Sequence, residues 1–258
     1  MSFADVNGTS LWYELAGDGP PVVLMHAGVV DSRMWVDHHE VFAERYLVVR
    51  YDLRGFGRSP APAASYSDVD DLAALLDGLG IERAALVGVS RSGSIAINFA
   101  LTHPGRVWAL VPVASGLGGF RMNPYSSEQK EAYDAAAEAG DWRRAAEVDL
   151  EVWAPLGGEG RLGELFYENA RAAETEHHAR PLDPPAAGRL AEISAPTLVV
   201  TGARDVPEMT EIGDRLEAEI AGARRFVLQD ADHIVPMRQP EEFSGLVLAF
   251  LDSVRPPD

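Results

Sequence analysis

The apolar runs of this chain do not alternate. In "PPVVLMHAG", "YLVVRYD", "AALVGVS", "RVWALVPVAS", "APTLVVTG" and "RRFVLQD" one apolar residue follows another without a polar residue between them. A half-exposed strand alternates. A run that does not is dry on both faces, as in a parallel sheet covered by helices on each side. The segments between the runs have helical spacing. "DDLAALLDGLG" puts Leu72, Leu75, Leu76 and Leu79 on one face and stops at Gly80. "SGSIAINFALTHPG" is alanine-rich and ends near His103-Pro104, "PEMTEIGDRLEAEIAG" opens on a proline at its first helical position, and "QPEEFSGLVLAFLDSV" comes near the end. The alternation predicts an α/β chain with a doubly wound, parallel sheet and helices on both faces. Ahead of it, "FADVNGTSLWYEL" reads as a hairpin turning at Asn7-Gly8.

The alternation fails once. From Phe120 to Leu190 there is no strand pattern, only amphipathic helical stretches, led in by "GLGG" at 116–119 and out by "PLDPPAAG". A helical stretch of that length between two sheet strands reads as an inserted cap. The expected organisation is a core of 1–119 and 191–258 with a cap of 120–190. At 258 residues and 47% hydrophobic, the chain can fill one sizeable core.

Lys plus Arg number 22 against 40 Asp plus Glu, a net charge of -18, which repels phosphate backbones and argues against a nucleic-acid partner. The acidity itself reads as a solubility feature. With no cysteine, disulfides, thiolate catalysis and Cys-ligated metals are excluded. "MSFADVNGTSLWYEL" has no basic segment followed by an apolar run, and no stretch approaches the roughly 18 apolar residues of a membrane span. A cytoplasmic monomer or homodimer, away from membranes, is expected.

In such sheets ligands bind at the carboxyl ends of the strands. There, after "AALVGV", stands Ser90. "GVSRSG" is a near match to the nucleophile elbow Gly-x-Ser-x-Gly, with Ser92 in the last position. Alone, the stretch reads equally as a helix N-cap or as a nucleophile. A serine nucleophile needs a base, and the base an orienting acid. Of the seven histidines, His233 in "LQDADHIVP" follows the final strand and is the expected base. His26 reads as a brace, His38 and His39 as surface residues at a helix start, His103 as a helix end, and His177 and His178 as cap surface. The acid is expected at Asp205, after "PTLVVTG"; its competing role is to cap the helix near Pro207. Asp230 and Asp232 read as loop hydrogen-bonders. Ser90, Asp205 and His233, each at its own strand end and in that order, favour the nucleophile over the cap. An oxyanion would be met by the N–H of Arg91 and by a second N–H from the turn after "VLMH", at Gly28 or its neighbour Val29.

With these residues in place the chain resembles the α/β-hydrolase superfamily, in its capped single-domain branch of small bacterial esterases, lactonases and enol-lactonases. The resemblance rests on the "HAG" turn, "DLRGFGRS" at 52–59, "VGVSRSG" at 87–93, "TGARD" at 201–205 and "ADHIVPMRQPEEF" at 231–243. It implies an eight-stranded, mostly parallel sheet, the triad Ser90, Asp205 and His233, and a structural role for the loop braced by Asp52 and Arg54. Ala27 and Ser92 stand where glycine is common.

The expected activity is hydrolysis of a small-molecule ester or lactone, needing no metal or other cofactor. C–C bond hydrolysis, a lyase step or perhydrolysis on the same triad is the alternative, as is a ligand-binding or signalling role. A serine at position 90 disfavours the aspartate-nucleophile chemistries. Val29, Phe120, Met122, Trp153, Phe166, Tyr167 and Ile234 are candidates to line the substrate pocket. The Arg91 side chain could attract a substrate carboxylate or pair with a cap carboxylate such as Glu147 or Asp149.

Overall fold

Asn7 and Gly8 both take left-handed φ, 42° and 78°, as a two-residue type I′ turn requires. In the computed structural model, which describes residues 2–255, this turn joins β1 (Ser2–Val6) to β2 (Thr9–Ala16), with Val6 opposite Thr9. Six more strands follow: β3 (Pro21–Met25), β4 (Leu47–Tyr51), β5 (Ala84–Val89), β6 (Val107–Val113), β7 (Leu198–Gly202) and β8 (Arg224–Leu228). Their order across one sheet is β1-β2-β4-β3-β5-β6-β7-β8. The pairs β1–β2 and β2–β4 are antiparallel and the rest parallel, so the expected eight-stranded, mostly parallel sheet is what forms. Every residue of the central strands β5 and β6 is buried, whereas the edge strand β8 leaves Phe226 exposed.

The helices are α1 (Val36–Ala43), α2 (Asp68–Gly78), α3 (Arg91–Thr102), α4 (Ser127–Glu138), α5 (Trp142–Trp153), α6 (Arg161–Asn169), α7 (Pro207–Glu219), α8 (Val235–Arg238) and α9 (Pro240–Val254). Successive strand residues point to opposite faces, so the sheet has two cores. Val23, Leu86 and Val199 pack with Leu72 of α2, Ile97 of α3 and Ile212 of α7. Val22, Val87 and Val200 pack on the other side with Phe42 of α1 and Phe243 and Val247 of α9. Among the described residues no helix is long and apolar enough to cross a membrane.

His38 and His39 do not lie on the surface: both are buried. His38 sits between Trp35, Phe42 and Phe243. Its Nδ1 is 2.8 Å from Ser244 Oγ and its Nε2 3.0 Å from the Pro236 carbonyl. A carbonyl only accepts, so Nε2 carries the proton and Nδ1 accepts from the serine. Polar type suggested exposure; the α1 face turned toward α9 decided otherwise.

The loop after β4 is held by its own polar groups. Asp52 accepts from the Ser32 and Arg58 N–H groups, each at 2.9 Å. Arg54 makes a fork to Asp71 at 2.5 and 2.7 Å. Between β6 and β7 the described residues hold no strand, only α4, α5, α6 and short 3-10 turns. The start of α4 is fixed by a reciprocal cap between Ser126 and Gln129. An isolated bridge between Tyr66 and Ala179 ties the end of this helical segment to the loop ahead of α2.

Candidate active site

Ser90 stands between β5 and α3 with φ 55° and ψ -114°. That conformation is strained for a residue with a Cβ and forms where surroundings over-determine it. Its N–H donates to the Val113 carbonyl at 2.9 Å, and its own carbonyl accepts from Gly116 at 3.0 Å. Small neighbours are obligatory: a Cβ on Gly88 would collide with the Ser92 backbone, and one on Gly93 with the Ser115 hydroxyl. Ser92 is accommodated because its Oγ has somewhere to go; it donates to the His26 carbonyl at 2.5 Å. The Ser90 side chain makes no capping hydrogen bond to α3, so it is not spent as a helix cap.

His233 follows β8, its side chain 2% exposed, with Nδ1 3.0 Å and 3.2 Å from the two oxygens of the fully buried Asp205 carboxylate. A carboxylate only accepts, so Nδ1 carries the proton and Nε2 is left as an acceptor. Asp205 also receives the Val206 N–H at 2.8 Å. Asp232 is taken up by Arg238, at 2.7 Å, and by the Ile234 and Leu156 N–H groups.

Arg91 is the first residue of α3, so its N–H has no partner within the helix. Gly28 lies against it: a Cβ on Gly28 would be 3.3 Å from the Arg91 Cβ. Among the described residues neither Gly28 nor Val29 donates a backbone hydrogen bond; Val30 N–H closes the turn on Ala27. His26 braces this turn, with Nδ1 2.8 Å from the Ala27 carbonyl and Nε2 accepting the Leu53 N–H at 3.0 Å.

A cavity of about 520 Å³ opens beside Ser90 and Arg91, walled by Met122, Tyr125, Tyr133, Trp153 and Met209. Of the residues expected to line it, Met122 and Trp153 do. Phe166 and Ile234 are fully buried in the apolar cluster that also holds Phe42 and Phe243, and Val29 packs on that cluster. Phe120 packs on the opposite core, and Tyr167 faces the Arg143 guanidinium at 4.3 Å. Helical spacing marks an apolar face but not which body it meets.

Sequence reading missed a chain that ends on His233. The Trp153 ring lies 4.4 Å from the imidazole, its Nε1 donates to Tyr125 Oη at 3.1 Å, and Tyr125 donates to Asp149 at 2.6 Å. Burial pushes the Asp149 carboxyl up to about 6. The expected partners of Arg91 also change. Glu147 pairs with Arg144 at 3.0 Å on the surface of α5, and Asp149 holds Tyr125. Arg91 instead meets Glu176, Asp68 and Tyr66, at 2.7, 3.0 and 2.9 Å. These partners come from the turn after α6, the start of α2 and the loop before it, three segments that no local period links.

The sequence model of the Alpha/beta hydrolase family matches residues 22–246, and the chain belongs to that family. It is similar to the dihydrolipoyllysine-residue acetyltransferase component of the acetoin cleaving system of Pseudomonas putida. The two are 32% identical over 269 residues, covering 96% of this chain and 68% of that protein. It is similar also to a 2-hydroxy-6-oxononadienedioate/2-hydroxy-6-oxononatrienedioate hydrolase of Klebsiella pneumoniae, 28% identical over 257 residues, 91% of this chain and 88% of that one. Among solved structures, the enol-lactonase from Burkholderia xenovorans LB400 matches with a TM-score of 0.82 at 26% identity, covering 97% of this chain and 100% of that one.

Proposed function

We propose that the protein is a serine hydrolase that cleaves a carboxylic ester or lactone through an acyl-enzyme on Ser90. The observation that carries this reading is the strained, uncapped Ser90 at the end of β5, in a chain where His233 is buried against Asp205. His233 Nε2 takes the Ser90 proton as Oγ attacks the carbonyl carbon, and Asp205 stabilises the imidazolium. The Arg91 and Gly28 N–H groups receive the oxyanion. The C–O bond then breaks and His233 returns the proton to the leaving oxygen; in a lactone that oxygen stays tethered to the acyl chain. Water, activated by the same imidazole, releases the acid. The segment 120–190 serves as a cap whose Met122, Tyr125, Tyr133 and Trp153 receive the substrate.

Similarity to the enol-lactonase supports the ester or lactone reading. Similarity to the Klebsiella hydrolase favours C–C bond hydrolysis as the second reading. A panel of p-nitrophenyl esters of rising chain length, lactones and a vinylogous diketone separates them. Ester or lactone turnover should dominate, and Ser90→Ala should lower kcat by roughly 10⁴-fold. Turnover of the diketone alone would transfer the assignment to the second reading.

A further inference from the structure

We propose that Asp68 and Glu176 are specificity determinants that cancel the Arg91 cation beside Ser90, so that the site selects uncharged acyl groups and rejects those bearing a carboxylate. This rests on the acyl-transfer reading of Ser90.

Arg91 borders the cavity next to the nucleophile. A lone guanidinium there, with its fork of donors, would be a carboxylate receptor. Three of its five donors are already committed. Nη1 donates to Glu176 Oε1 at 2.7 Å, and Nη2 to Asp68 Oδ2 at 3.0 Å and Tyr66 Oη at 2.9 Å. The face of the group lies 5.8 Å from the Phe56 ring. One cation against two carboxylates leaves this cluster one negative charge in excess. The Arg91 and Asp68 side chains are only 18% and 13% exposed, whereas Glu176 is 46% exposed, so salt reaches the excess charge through Glu176. Glu176 reaches the oxyanion turn itself: its Oε1 lies 3.7 Å from where a Cβ on Gly28 would stand. Lys130, which also lines the cavity, is paired with Asp134, both of whose carboxylate oxygens lie 2.6 Å from its ammonium.

A carboxylate on the acyl group would therefore enter against an excess of like charge and find no free cation. An uncharged apolar chain meets Met122, Met209 and Trp153 instead. Asp68 is held at the first turn of α2, where a helix start favours an anion. Glu176 comes from the segment between β6 and β7. The selectivity is thus shared by two elements and can be cut at either.

The test compares p-nitrophenyl butyrate with p-nitrophenyl hemisuccinate, which differ at the far end of the acyl chain by one charge. The wild type should favour the butyrate in kcat/KM by about tenfold or more. Glu176→Gln and Asp68→Asn should each raise the hemisuccinate-to-butyrate ratio about tenfold, and the double variant should raise it further. In the wild type, added salt should raise the same ratio, a readout that needs no variant to fold. A wild-type preference for the hemisuccinate overturns the proposal. So does a salt-independent ratio, or one that both folded single variants leave within twofold. Hydrolysis of neither ester overturns the acyl-transfer reading beneath it.

Discussion

Replacing Ser92 with alanine separates two parts of the site that the fold has tied together. The Ser92 hydroxyl is fully buried and donates to the His26 carbonyl at 2.5 Å. Arg91 precedes Ser92 directly, and Gly28 lies two residues beyond His26. The bond therefore joins the two elements that carry the proposed oxyanion donors. Removing the donor and leaving a buried carbonyl costs about 1–3 kcal/mol. For a chain of this size that lowers Tm by roughly 2–6 °C. Loss of an entire oxyanion donor costs about 10²–10³ in kcat; loosening one should cost less, about tenfold. The expected Ser92→Ala protein has KM within about twofold of wild type, because the ground-state carbonyl gains little from these donors. Thermal unfolding and steady-state kinetics on p-nitrophenyl butyrate read both effects. A variant that melts within 1 °C of wild type, or that loses stability while kcat stays unchanged, would refute the reasoning.

Burial holds the His38 imidazole down to about 4, against about 6.5 in an unfolded chain. Between those values the unfolded chain takes up a proton that the folded chain refuses, so this group makes stability rise with pH from about 4 to 6.5, by about 3 kcal/mol in all. Urea unfolding of His38→Gln should therefore show a shallower loss between pH 7 and pH 5 than wild type; an equal slope contradicts this. Asp149 works in the opposite sense: with its carboxyl raised to about 6, the folded chain takes the proton first and stability rises as pH falls from 6 toward the unfolded value. Asp149→Asn should steepen the acid loss, and an unchanged slope counts against it. Asp71→Ala strands the Arg54 guanidinium, whose side chain is 9% exposed, and should cost about 3–5 kcal/mol by urea midpoint; a cost under about 1 kcal/mol would show that water replaces the carboxylate.

The sheet was legible because each strand announces itself locally. An unalternating run such as "AALVGV" can be satisfied only where both faces are covered, and β5 is buried throughout. The residues at strand ends were legible for the same reason: once the strands are placed, Ser90, Asp205 and His233 share one edge. Partnerships between distant segments were not. Nothing near position 91 in the sequence points to Glu176, and nothing near His233 points to Trp153, Tyr125 and Asp149, because the path of the segment between β6 and β7 is set by tertiary packing. The same ignorance of facing surfaces placed His38 outside the core and Phe166 in the pocket.

The central claim is that Ser90 is the nucleophile, and a fluorophosphonate reports on it directly. Intact-mass and peptide-mapping analysis should find one phosphonyl adduct per chain, on Ser90, and none in a folded Ser90→Ala protein. An adduct on another side chain, or ester turnover that survives in Ser90→Ala at the wild-type rate, would contradict the account.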